Sequence, residues 1–179
     1  GAGNFTEVTT TQLPASWQIA SCVVLGDVDG DGDIDMVVGS TQGNYWYYTY
    51  GTGQTRLYVN DGRGFFRDAT LTHMPLDRDD TRAVTLGDID GDGDLDLVLG
   101  SGASYAYPNT VLPQQDRIYL NTGGGRFVDV TSSTLPQRAE TTTGVEAGDV
   151  DGDGALHRVF TLASGSQPVL LYMNNGSGG

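Results

Sequence analysis

Five aspartates fall within the nine residues DVDGDGDID, from Asp27 to Asp35. Carboxylates crowded this closely repel one another unless a cation gathers them. Oxygen donors suit a hard ion, and calcium (Ca2+), which accepts about 6 to 8 oxygens in flexible geometry, is the expected one. Aspartates at loop positions 1, 3 and 5 can curl around a single ion if the backbone turns sharply between them, which Gly30 and Gly32 permit. The pattern is not an EF-hand, because position 12 of that loop needs glutamate and here holds Val38. The competing reading, a solvated acidic hairpin without metal, leaves the repulsion uncompensated. A structural role for the ion is expected rather than a catalytic one, since a strand-bounded loop full of protein ligands leaves no open position for a substrate.

The loop recurs as DIDGDGDLD from Asp88 to Asp96 and as DVDGDGALH from Asp149 to His157. The step is 61 residues each time (27 to 88 to 149). Other landmarks keep it: FTEVT at Phe5, FRDAT at Phe66 and FVDVT at Phe127. LYVNDG at Leu57 returns as IYLNTG at Ile118 and LYMNNG at Leu171, the last after a shortened interval. An internal repeat of this length is the organising fact of the chain.

Each unit reads as four short antiparallel strands. An apolar stretch (CVVLG, AVTLG, GVEAG) enters the aspartate loop, and IDMVVG, LDLVLG or LHRVFT leaves it. The LYVN-type strand then turns on Asn-Asp-Gly, Asn-Thr-Gly or Asn-Asn-Gly, chemistry suited to positive φ. The Phe-led strand follows. No stretch carries a helical period, so the expected class is all-β, with four-stranded units of the kind found in propeller blades. Repeats span 5–64, 65–125 and 126–179.

DVDGDGDIDMVVG followed by RLYVNDGRGFF resembles the FG-GAP/VCBS repeats, the blades of integrin α-subunit propellers and of related fungal lectins. The likeness runs over essentially the whole chain. It implies side-chain ligands Asp27, Asp29, Asp31 and Asp35 with the carbonyl of Asp33, and a second set of Asp88, Asp90, Asp92 and Asp96 with the carbonyl of Asp94. In the third loop Asp149, Asp151 and Asp153 remain, Ala155 supplies only backbone, and His157 replaces a carboxylate. Two strong calcium sites and a weakened third are therefore expected.

The same resemblance makes the Phe strand the outermost strand of the preceding blade, which leaves Phe5 to Thr9 as an outer strand without a blade. Propellers use about 4 to 8 blades, and three are encoded here. Two chains would supply six. One expectation is a closed homodimeric ring in which each Phe5 strand completes the partner's third blade, removing exposed edges; the other is a fragment of a longer propeller.

In an up-and-down blade successive turns alternate between two ends, so loops joining strands 2 to 3 and 4 to 1 lie opposite the aspartate hairpins. The first 2-to-3 loop, STQGNYWYYTYGTGQT, holds Tyr45, Trp46, Tyr47, Tyr48 and Tyr50, and the second, SGASYAYPNTVLPQQD, holds Tyr105 and Tyr107. Trp17 belongs to a 4-to-1 connection at the same end. Aromatic faces beside amides and hydroxyls suit a glycan or an extracellular protein partner, though the same rings could equally pack over a neighbouring blade. Asp77, Asp79 and Asp80, in another such connection, read as a solvated acidic surface.

A net charge of −14, with no lysine at all, argues against nucleic acid or an anionic membrane as partner. No apolar run approaches the ~20 residues that insertion into a bilayer requires. Asn4-Phe5-Thr6 and Asn175-Gly176-Ser177 match the glycosylation sequon and fit a secreted protein or ectodomain. Cys22 reads as a small packed residue, and His73 as a turn residue bonded locally or facing solvent. Metalloprotease, phosphate-loop and nucleophile-elbow motifs are absent from the sequence, so a binding module or a structural, oligomerising propeller piece is expected rather than an enzyme.

Overall fold

A computed structural model describes residues 3–16, 18–41, 53–106, 110–162 and 169–174. Its first element is a single-turn helix, α1 (Thr9–Gln12), followed by an antiparallel sheet of β1 (Ile19–Gly26), β2 (Asp35–Thr41), β3 (Arg56–Asn60) and β4 (Phe66–Asp68) in that spatial order. A second turn of helix, α2 (Thr70–His73), leads to β5 (Thr81–Gly87) and β6 (Asp96–Ser101). A hairpin of β7 (Ala103–Ala106) and β8 (Thr110–Gln115) precedes β9 (Arg117–Asn121) and β10 (Phe127–Asp129). The second four-stranded sheet is ordered β5-β6-β9-β10. After α3 (Thr131–Thr134), β11 (Ala139–Glu140) joins β8 beside the hairpin, and β12 (Thr142–Gly148), β13 (His157–Leu162) and β14 (Val169–Tyr172) form the third sheet.

The sheets share one register. Gly26 pairs with Asp35, Gly87 with Asp96 and Gly148 with His157, so each aspartate loop closes a hairpin between the first two strands of its sheet. The first strands are all bulged at one place, after Ala20, Thr81 and Thr142, the local irregularity repeating with the sequence. Phe66 stands opposite Asn60 and Phe127 opposite Asn121, which makes the Phe strand the outermost of the sheet before it.

One expectation needs correction. The Phe5 to Thr9 stretch is not a strand: Phe5 is 98% exposed, and Thr9 already belongs to α1. An extended segment without a ladder partner leaves its amides to water and has no reason to stay straight. The class is all-β, and between its sheets the single-turn helices α1, α2 and α3 recur at the repeat step. In α2 and α3 the first residue's amide donates to Asp68 Oδ1 (3.0 Å) or Asp129 Oδ1 (2.9 Å). The threonine hydroxyl oxygen in turn accepts the amide of Leu57 (3.1 Å) or Ile118 (3.0 Å) on the neighbouring strand. A single turn is too short to show a 3.6-residue period in the sequence.

Successive strand residues point to opposite faces, and the middle sheet uses both. Leu97, Leu99 and Tyr119 join Val28, Val37 and Leu57 in a core between the first and second sheets. Val98 and Ile118 join Ile89, Val145 and Phe160 in a core between the second and third. Every residue of β6 is consequently buried.

Glycine lets the blades approach. A Cβ on Gly26 would meet Leu86 Cδ1 at 2.6 Å, and one on Gly87 would meet Leu156 Cδ1 at 2.7 Å, each leucine coming from the next blade. A Cβ on Gly100 would lie 2.6 Å from Thr142 Cγ2. Gly100→Ala is expected to cost about 1–3 kcal/mol by overpacking. Thr142→Ser, which removes that methyl and keeps the hydroxyl, is expected to recover most of the loss in a urea-unfolding double-mutant cycle.

Candidate functional site

All three aspartate loops are built alike from their own backbone. The first carboxylate accepts two glycine amides: Gly30 and Gly32 donate to Asp27 at 2.9 and 3.0 Å, Gly91 and Gly93 to Asp88 at 2.8 and 3.1 Å, and Gly152 and Gly154 to Asp149 at 2.7 and 3.0 Å. Those glycines all have positive φ, 78° and 94° in the first loop, a conformation that a side chain would strain. The third loop, with its altered ending, keeps the same turns.

In the first loop Asp27, Asp29 and Asp35 bring one oxygen each within 4.8 Å of one another, and in the second Asp88, Asp90 and Asp96 do the same. Asp31 and Asp92 stand outside these groups, each accepting the amide of the residue two positions on, Asp33 or Asp94, at 2.9 Å. The Asp33 carboxylate lies against Gly62 in the Asn-Asp-Gly turn, which leaves its backbone as the part available to an ion. In the third loop the group comprises Asp149, Asp151, Asp153 and His157, and Ala155 contributes no side-chain donor.

Position 9 is the structural pivot. Asp35 and Asp96 are fully buried. Each carboxylate accepts one amide from its own loop (Val28 at 3.0 Å, Ile89 at 2.7 Å) and one from the third strand (Asn60 at 2.9 Å, Asn121 at 2.8 Å). Burial pushes the Asp35 carboxyl above its ordinary value and that of Asp96 up to about 6. Desolvation outweighs the two amides, and a nearby dication is the kind of partner that would hold these groups ionised. The donor set, the turn geometry and the buried charge all fit calcium.

Neighbouring loops are tied together at this end. Asn121 Nδ2 donates to the carbonyl of Val28 (2.7 Å) and Asn174 Nδ2 to that of Ile89 (2.8 Å), linking each third-strand asparagine to the aspartate loop of the preceding blade. The asparagines of the Asn-Gly turns therefore also bind blade to blade, a role that turn propensity alone conceals.

At the opposite end the 4-to-1 connection departs from expectation. Asp77 and Asp80 are buried rather than solvated, and Asp79 pairs with Arg117. Asp77 accepts the Thr55 amide (3.1 Å) and the Tyr119 hydroxyl (2.9 Å), and burial pushes it up to about 6. Asp116, unremarked in the sequence, is also buried, accepts the Ser101 amide (2.8 Å) and the Thr142 hydroxyl (2.9 Å), and is likewise pushed up to about 6 by burial. These acids satisfy backbone where the chain passes from one blade to the next. For Asp77 the one advance signal was a run of aspartates beside a proline, which also describes a surface loop; Asp116, in LPQQDR, had none.

Of the aromatic candidates, Trp17, Tyr45, Trp46, Tyr47, Tyr48, Tyr50 and Tyr107 lie outside the described residues. Tyr105 stands on β7 opposite Val111. The second aromatic loop is thus largely a hairpin, with β11 from the following connection added to it at Gln114 and Gln115. His73 ends α2, with Nδ1 2.7 Å from the Thr72 hydroxyl. Cys22 is half-buried, and burial raises its thiol above the ordinary value, as befits a packed side chain.

Antiparallel four-stranded sheets stacked face to face, each with an acidic hairpin at one end, define a propeller-like repeat protein. The family model for FG-GAP-like repeats matches residues 1–38, 27–99 and 106–156, and that for the FG-GAP repeat matches residues 81–120. The chain belongs to the FG-GAP repeat family. No curated protein matches it. Among the described residues, no helix is long and apolar enough to cross a membrane.

For an acid whose folded pKa is raised, the folded chain holds more protons than the unfolded one between about pH 4 and 6. Its contribution to stability therefore falls as pH rises through that window. Calcium needs the ionised carboxylate, so protons compete with it below about pH 6. Calcium added to chelator-treated protein is expected to raise Tm at pH 7 and to raise it less at pH 5. No shift at pH 7, or a larger one at pH 5, in thermal melts would contradict this.

Proposed function

We propose that the chain is a calcium-stabilised propeller module of an extracellular protein, binding rather than catalytic, which recognises a glycan or a protein through the aromatic loops opposite its calcium hairpins. The observation that carries the reading is the division of labour between the blade ends. Asp96 begins β6 beside the acidic hairpin, whereas Ser101 ends it where β7 and β8 project. The hairpin end carries clustered carboxylates and blade-to-blade asparagines, and the other carries the projecting β7–β8 hairpin. The test is a glycan array in calcium, repeated with residues 45–50 replaced by Gly-Ser. Binding that falls at least about tenfold in the replaced protein is expected, and binding unaffected by the replacement would overturn the reading.

A second reading, assembly through the terminal blades, is favoured by the residues they leave uncovered. Val23, Leu25 and Ile34 are exposed on the first blade, whereas their counterparts Val84, Leu86 and Leu95 pack into the first core. On the third blade Val150 is 53% exposed, against 2% for Val28 and 5% for Ile89 at the same position. Gly148, counterpart of the leucine-filled Gly26 and Gly87, has nothing within 4 Å of a built Cβ. The leading face of blade one offers what the trailing face of blade three lacks. A second copy can supply both contacts at once, closing six blades with each Phe5 segment drawn onto the partner's third sheet. Light scattering is expected to give twice the chain mass, and Gly148→Val, which meets nothing among the described residues of its own chain, is expected to give a folded monomer. A monomeric parent protein would rule out the ring.

A further inference from the structure

The third loop differs from the others in the residue that closes it. His157 occupies the position of Asp35 and Asp96, paired with Gly148 at the start of β13. An imidazole cannot repeat what those carboxylates do, because a neutral ring has one acceptor and a protonated ring has none. His157 is fully buried, and neither ring nitrogen has a hydrogen-bond partner. A buried ring left this way loses the solvation of both nitrogens, and such a group calls for a partner not yet counted.

Its surroundings indicate the partner. Asp149, Asp151, Asp153 and His157 each offer one atom, all within 4.8 Å of one another, with Nε2 of the ring 3.7 Å from Asp151 Oδ2. This group has four members where the other two loops have three, because Asp153 joins it while Asp31 and Asp92 do not join theirs. Three exposed carboxylates thus face a nitrogen anchored in the interior. Imidazole nitrogen is a ligand for zinc and its first-row neighbours, whereas calcium takes oxygen. Ligand atoms around a tetrahedral zinc ion with bonds of about 2.0–2.2 Å lie roughly 3.3–3.6 Å apart. Carboxylates on an exposed loop can draw in by that margin.

We infer that the third loop is a site for a zinc-class transition-metal dication, chemically distinct from the calcium sites of the first two loops. The inference rests on reading these loops as cation sites, but its readout is separate. One chain would then carry two kinds of ion at equivalent places, the hard ion where position 9 is carboxylate and the borderline ion where it is imidazole.

The test uses the tag-free full chain, stripped with chelator and then held in saturating calcium. Titration with cobalt(II), followed by its visible ligand-field absorbance, is expected to show one equivalent per chain that zinc displaces and further calcium does not. His157→Asp is expected to weaken zinc binding by at least about tenfold and to add one calcium equivalent. Asp151→Asn, which keeps the buried ring and the turn, is expected to weaken zinc similarly, so that a misfolded His157 variant does not end the test. His73→Gln is expected to change nothing. No cobalt or zinc equivalent in saturating calcium, or one that survives both loop variants, would overturn the inference and leave His157 paired only with Asp151. Should calcium bind nowhere while zinc binds and is lost in His157→Asp, the calcium reading falls and this one stands.

Discussion

A four-stranded blade has two apolar faces and can bury only what its neighbours cover. Nearly everything else in the structure follows from that constraint. β6, flanked on both sides, alternates Leu97 and Leu99 toward one neighbour with Val98 toward the other, and no residue of it reaches water. The cores lie between blades instead of inside them. The glycines at 26, 87 and 100 are there because a leucine or threonine from the next blade occupies the space of their side chains. Their presence is a packing condition more than a turn requirement.

Close stacking brings backbone out of contact with solvent, and buried carboxylates take up the amides this strands. Asp35 and Asp96 do so at the hairpin end, Asp77 and Asp116 at the other. Both sets pay in desolvation, which is why their pKa values rise or reach about 6. Among the described residues, only the first set belongs to groups of carboxylates whose oxygens come within 4.8 Å of one another. That difference separates acids that hold the chain together unaided from acids arranged to share a cation, and it could not be drawn from residue type.

The same stacking gives the molecule a direction. Each blade presents leucines forward to the one before it and accepts leucines from the one after, and hydrogen bonds from Asn121 and Asn174 run the same way. A repeat with this polarity leaves two unlike surfaces at its ends. Its two strand ends are also unlike, since one carries the acidic hairpins with their positive-φ glycines and the other the β7–β8 hairpin. Binding surfaces of scaffolded proteins arise on loops at such ends.

The repeat step, the order of strands and the turn glycines were legible in the sequence, because all of them depend on contacts within one unit and on period-2 alternation. The single-turn helices were not, since four residues carry no period. Phe5 shows the converse limit: its motif matches Phe66 and Phe127, but a strand exists only where a neighbouring strand takes its hydrogen bonds, and in this chain none does. Asp77 and Asp80 looked like surface because burial is decided by what another blade lays over a residue. For the stretch ending in His157 the sequence recorded a lost carboxylate. The tertiary structure decided what replaced it, by enclosing the ring, leaving its nitrogens without hydrogen-bond partners, and turning three carboxylates toward it.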